Sequence, residues 1–207
     1  MNPYFKVLSS RYPNLSGLES TVQSCFEVLC NCFNQGGKLL LAGNGGSGAD
    51  AEHISGELLK SFEIPRPLKS DLADKLPDYL KNHLQGALPA IPLTNFMSLS
   101  TAFANDVDPE LIFAQLVLAL GQSKDVLLGI STSGNAQNII YAFEVAKAKG
   151  MATILLTGQD GGKLSKIADI TLKVPASRTL EVQELHLPIY HTICLMLEDF
   201  FFGNNHN

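Results

Sequence analysis

Long apolar runs are missing from this 207-residue chain: no window approaches the roughly 20 residues that a bilayer-spanning helix needs. The opening residues, MNPYFKVLSSRYPNL, lack the layout of a signal peptide, and the two absences together lead us to expect a cytoplasmic protein. There is no Lys or Arg run, and 15 basic residues stand against 20 acidic ones. That balance argues against nucleic acid or an anionic membrane surface as the main partner, while leaving room for a small anion at a local site. Cysteine is scarce. Cys25, Cys30, Cys32 and Cys194 sit in apolar helical patterns without paired zinc-site spacing, and they read as reduced core thiols. Repeats and low-complexity tracts are absent, so residues 1–207 read as a single domain, and a hydrophobic content of 45% suffices for an ordinary core.

What is present alternates between two periods. Apolar residues from Leu18 to Phe33 recur at three and four, which predicts an N-terminal helix over 16–35, capped by Ser16 and ended by Gly36-Gly37. The runs KLLLAG, ALPAIPL, KDVLLGI, MATILLTG and ITLKV have strand length, and helical patterns separate them at 47–62, 96–120 and 134–149. Such alternation predicts a parallel sheet covered on both faces. A C-terminal helix is expected over 179–202, interrupted by Pro188. The charged segment 67–86 breaks the alternation and reads as a short helical lid or flank.

Two turns carry the chemistry. GNGGSGADAEH and GISTSGNAQN each follow an apolar strand and open a helix, so their backbone N–H groups and hydroxyls fall at the carboxyl end of the sheet, where open α/β sheets bind ligands. A helix N-terminus offers unpaired donors and the positive end of its dipole, and Ser131, Thr132 and Ser133 add three hydroxyls in a row. Neither turn is a Walker motif or a dinucleotide fingerprint, so we expect a small phosphorylated metabolite and no nucleotide cofactor.

The strings GNGGSGADAEHISGEL, LLGISTSGN, LTGQDGGKLSKIADI and VQELHLPIYH, in that order, resemble the sugar isomerase (SIS) domain family and, within it, the phosphoheptose isomerases. The resemblance covers about Gly36 to Glu198. It implies a SIS-type three-layer αβα sandwich with a central parallel sheet, flanked by N- and C-terminal helices. It also implies a homotetramer that interconverts sedoheptulose 7-phosphate and D-glycero-D-manno-heptose 7-phosphate at sites between subunits. By resemblance, substrate binding falls to Asn44, Gly45, Gly46, Ser47, Asn105, Asp106, Ser131, Thr132, Ser133 and Gln183. The residues matching His53, Glu57, Gln183 and His191 surround the reacting carbons and hold zinc in some members, so zinc is a candidate cofactor here.

Moving a proton between adjacent carbons through an enediol requires a base and a proton carrier for the oxygens. Glu57 suits the first role and His191 the second, since a partly desolvated carboxylate is a better base and an imidazole both accepts and donates near neutral pH. The spacing of four puts His53 and Glu57 on one helix face, one turn apart. Gln183 and His191 are eight apart, about 12 Å along a straight helix, which is far for two ligands of one ion. The chain departs from the family pattern at Ala136, where a serine is usual, at ANDVD, at Leu180 and at Ser61. The competing reading is a SIS protein that binds a sugar phosphate or another protein without catalysis; a third is an isomerase of another sugar phosphate. Finally, the apolar C-terminal helix leads us to expect that a second subunit covers it, with His191 of one chain working beside Glu57 of a neighbour.

Overall fold

Five apolar runs pair in parallel to form one sheet. They are β1 (Leu39–Gly43), β2 (Ala90–Pro92), β3 (Val126–Ile130), β4 (Ala152–Thr157) and β5 (Ile170–Lys173), in the order β2-β1-β3-β4-β5. The computed structural model describes residues 2–203; residues 1 and 204–207 of the expected 1–207 domain lie outside the described residues. The helices are α1 (Pro3–Arg11), α2 (Glu19–Asn34), α3 (Gly46–Leu59), α4 (Ser70–Ala73), α5 (Asp78–His83), α6 (Met97–Asp106), α7 (Ile112–Leu120), α8 (Gln137–Ala148) and α9 (Thr179–Phe202).

Alternation along each strand decides which layer a residue joins. Leu39 and Leu41 pack with residues of α1, α2, α3 and α9, whereas Leu40 and Ala42 pack with Phe113, Val117, Ile139 and Phe143 of α7 and α8. The result is the three-layer sandwich expected for the SIS family. All five strands fall where the sequence placed them, and among the described residues no helix is long and apolar enough to cross a membrane.

Several boundaries differ from expectation for identifiable reasons. Ser16 does not cap the N-terminal helix: Pro13 opens a 3-10 turn over Pro13–Leu18, and α2 starts only at Glu19. The sequence reading missed α1, although Asn2 accepts from the Tyr4 N–H at 2.9 Å and Pro3 occupies the first turn. The 96–120 pattern splits into α6 and α7 because Asp108 and Pro109 start a new 3-10 turn, with Asp108 accepting from the Glu110 N–H. Pro188 does not interrupt α9. It is buried with Ile189 and Tyr190, and that packing outweighs the backbone bond proline removes.

Segment 67–86 carries α4 and α5 and lies beside the C-terminal end of α9, where Gly86 approaches the Phe202 ring. At this end it flanks α9. The same end of α9 carries the deepest ion pair. Arg66 is 1% exposed, and its Nε donates to Glu198 Oε1 at 2.8 Å. Its two outer nitrogens donate to the carbonyls of Leu58 and Glu57 at 2.8 and 2.9 Å, and its plane lies over Phe202. Glu198 also accepts from the backbone N–H groups of Phe62, Glu63 and Ile64.

Burial alone would raise the Glu198 carboxyl, but those backbone donors and Arg66 overcome it and hold the group below its ordinary value. A depressed carboxylate stabilises the fold above its unfolded pKa and loses that contribution as pH falls through the folded value. Arg66→Met should cost about 3–5 kcal/mol in urea unfolding at pH 7, because it strands a buried charge and two carbonyls. It should also flatten the acid limb of the stability profile below about pH 4.3. A loss under about 1 kcal/mol would mean the pair is dispensable.

Candidate active site

The strand order 2-1-3 places a topological switch between β1 and β3, where an open α/β sheet leaves a crevice at its carboxyl edge. The two glycine-rich turns stand on either side of it. Asn44 follows β1 and exchanges two amide hydrogen bonds of 2.9 Å with Asn138 in the first turn of α8, so the turns are tied together. Gly45 has a φ of +55°, which side-chain-bearing residues rarely adopt, and a methyl group on Gly46 would sit 2.5 Å from Gln183 Nε2. Ser47 is buried in the first turn of α3.

The hydroxyl loop after β3 is held by its backbone. Ser131 is buried, the Gly158 N–H donates to the Thr132 carbonyl, and Ser133 Oγ accepts from the Asn135 N–H at 3.2 Å. Thr132, Ser133, Asn135 and Asp160 help line a cavity of about 180 Å³ beside this loop. A larger cavity, about 1480 Å³, lies under segment 67–86 and has none of the expected site residues in its lining. Ala136 is the N-cap of α8 and supplies no side-chain bond there.

About two turns into α3, a second cluster forms. His53 Nε2 lies 3.2 Å from Glu57 Oε1 and 3.4 Å from His191 Nε2, so α3 and α9 of one chain bring these three side chains together. Lys60 holds the other oxygen of Glu57 at 3.0 Å, and the Phe62 ring lies 5.2 Å from that of His191. Gly46 meets Gln183 while His53 meets Tyr190 and His191, which means that the two helices run parallel in register. The 12 Å separation of Gln183 and His191 is thereby matched by a similar distance from Gly46 to His53, about 10 Å at 1.5 Å per residue. Gln183 accordingly sits at the loop end of the helix pair and His191 at the Glu57 end.

The expectation paired His191 with Glu57 of another chain; here His191 and Glu57 of one chain both stand beside His53. The fold corrects the reason offered for a second subunit, because α1, α2 and α3 already cover much of α9. Asn105 and Asp106 lie exposed at the end of α6 and bond to each other at 2.8 Å. Among the described residues, no hydrogen bond links them to either loop or to His53.

Burial, and then the neighbouring His53, push the His191 imidazole below its ordinary value, against the pull of Glu57. Such a ring stays neutral near pH 7 and can both accept and donate. His186 points elsewhere: it is fully buried, and burial pushes it down to about 4. Two neighbours of the cluster escaped sequence reasoning. Tyr190 Oη lies 3.0 Å from His53 Nδ1 and donates to Asp50 Oδ1 at 3.2 Å. The available signal was Asp50 one turn before His53, on the same helix face.

An added hydroxyl at Ala136 would cap α8 from the N-cap position. Ala136→Ser should raise unfolding free energy by about 1 kcal/mol, read by urea titration. A destabilised variant would show that the α8 entry cannot accept a side-chain cap.

Comparison with known proteins gives the family. Residues 4–158 match the SIS domain family. The phosphoheptose isomerase of Burkholderia pseudomallei strain 1710b is 42% identical over 186 residues, which are 90% of this chain and 85% of that one. That of Sulfurimonas denitrificans is 38% identical over 206 residues, 98% and 94% of the two chains. Among solved structures, phosphoheptose isomerase from Neisseria gonorrhoeae superposes with a TM-score of 0.73 at 33% identity over 93% of both chains. The Francisella tularensis enzyme gives 0.75 at 32% over 95% of both. The chain belongs to the SIS domain family, in its phosphoheptose isomerase branch.

Proposed function

We propose that the chain is an aldose–ketose isomerase that interconverts sedoheptulose 7-phosphate and D-glycero-D-manno-heptose 7-phosphate through an enediol. The observation that carries the reading is the convergence of Glu57, His53 and His191 at the end of a helix pair whose other end meets the glycine-rich loop. The phosphate is assigned to the Ser131–Thr132–Ser133 loop, and Asn44, Gly45, Gly46, Ser47 and Gln183 to the carbon chain between. The offset of about 10 Å along α3 suits a sugar whose phosphate is several carbons from its carbonyl. Asn105 and Asp106 are assigned to substrate hydroxyls on family resemblance alone.

In this reading Glu57 takes the proton from the carbon beside the carbonyl and returns it to the neighbouring carbon. His191, neutral and able to donate or accept, moves the proton between the two oxygens. Lys60 restrains the free oxygen of Glu57 and leaves Oε1 facing His53. The Phe62 ring beside His191 limits water on that side.

A zinc ion is part of the proposal at the level of donor type. Among the described residues no group of three His, Cys, Asp or Glu side chains is gathered to hold an ion. The two spacings from His53, 3.2 and 3.4 Å, nevertheless match the edge of a tetrahedron of zinc ligands, about 3.3 Å. His53, Glu57 and His191 would hold the ion, with Gln183, which packs on Gly46, the fourth residue that the family resemblance names. When bound, zinc supplies Lewis-acid polarisation of the carbonyl.

We further assign a homotetramer in the cytoplasm. Exposed Met97, Val107, Leu118, Leu180 and Leu187 leave apolar surface around α6, α7 and α9 for subunit contact, and all four cysteines are buried and free.

In deuterated buffer with sedoheptulose 7-phosphate, the protein should exchange hydrogen at C1 and C2, and Glu57→Gln should slow this at least about 100-fold with an unchanged melting temperature. No exchange by the unaltered protein would remove the assignment. For assembly, subunit exchange between Glu57→Gln and His191→Ala variants should restore no activity, because each chain supplies both residues to one cluster. Turnover by hybrids verified in native mass spectrometry would show a site divided between chains.

A further inference from the structure

Tyr190 is 2% exposed, and its hydroxyl bridges two groups of α3. It donates to Asp50 Oδ1 at 3.2 Å, and the same oxygen stands 3.0 Å from His53 Nδ1. A phenol has one proton. With that proton on Asp50, the oxygen can only accept from His53, so the proton of a neutral His53 ring sits on Nδ1. Nε2 then carries the lone pair, and this is the atom 3.2 Å from Glu57 Oε1 and 3.4 Å from His191 Nε2. We propose that Tyr190, anchored by Asp50, is a positioning residue that fixes His53 in the Nδ1–H tautomer and aims its Nε2 lone pair at the point shared with Glu57 and His191.

The consequence is chemical. Two electron-rich atoms 3.2 Å apart, His53 Nε2 and Glu57 Oε1, repel unless a proton or another electrophile lies between them. The relay thus prepares a place for a positive centre, either a proton in transit or a metal ion. Burial, followed by the charge of Asp50, pushes the Tyr190 phenol well above its ordinary value, which keeps it a donor through the neutral range. The edge-on contact of the two rings, 5.5 Å between centroids, limits rotation of the imidazole. A Phe at 190 would keep this packing and lose only the oxygen. The tautomer claim stands on geometry alone, while its effect on turnover rests on the isomerase reading above.

The test uses full-length protein with ¹⁵N-labelled imidazoles, free of substrate and treated with chelator, at about pH 8, where histidine is mostly neutral. Two-bond nitrogen–proton correlation spectra distinguish the tautomers, with His53→Gln identifying the signal. The unaltered protein should show His53 as Nδ1–H. Tyr190→Phe should move it towards Nε2–H, the form a free imidazole prefers, and lower kcat about 10- to 100-fold at constant KM. Asp50→Ala, which frees the Tyr190 proton to donate to Nδ1, should give Nε2–H as well and covers the case in which Tyr190→Phe does not fold. An Nε2–H ring in the unaltered protein, or an Nδ1–H ring persisting in a folded variant, overturns the proposal. If the spectra behave as expected but the unaltered protein isomerises no sugar phosphate, the relay stands and the isomerase reading falls.

Discussion

The buried pair of Arg66 and Glu198 sets the relation between α3 and α9, and the cluster of His53, Glu57 and His191 depends on that relation. Arg66 binds the last carbonyls of α3 while Glu198 gathers three N–H groups from the turn that follows it. Two buried charges are expensive to desolvate, and they persist where every donor and acceptor finds a partner in good geometry. A sliding or rotation of α9 by one residue would break several of these bonds together. The pair therefore holds the helices in one register, and that register brings His191 within 3.4 Å of His53.

The same parallel register separates two tasks along one helix pair. Its start lies at the switch point of the sheet, where Gly45 and Gly46 make room for a tight turn and for Gln183. Its middle carries the titratable cluster, withdrawn from the loops and lined by Phe62 and Tyr190. In the proposed reading, an anion at the loop donors and helix ends would be held apart from the carboxylate of Glu57. The departures from the family pattern follow this division. At the loop end Ala136 gives α8 no side-chain cap. At the other end, next to Ser61, Lys60 takes up a Glu57 oxygen.

Much of this was legible in the residues. Apolar strands of three to six residues alternating with helices call for a covered parallel sheet, and the spacing of His53 and Glu57 determines that they share a face of α3. The glycine-rich turns fell at the carboxyl edge of the sheet, as expected of residues that end a strand and open a helix. Local punctuation was harder to weigh. Pro13 and Pro109 open 3-10 turns that compete with the periodic apolar pattern, and Pro188 loses to packing.

The sequence by itself determined the elements, their order and the chemistry available on each helix face, because those follow from periods of two and 3.6 within a few residues. Only the tertiary structure decided which faces meet. Tyr190 reaches Asp50 across 140 positions and Arg66 reaches Glu198 across 132. It also decided that Glu57 and His191 both reach His53 within one chain. Such pairings depend on the crossing and register of whole helices, set by the sum of many packing contacts over a common sheet, and no local spacing encodes that sum.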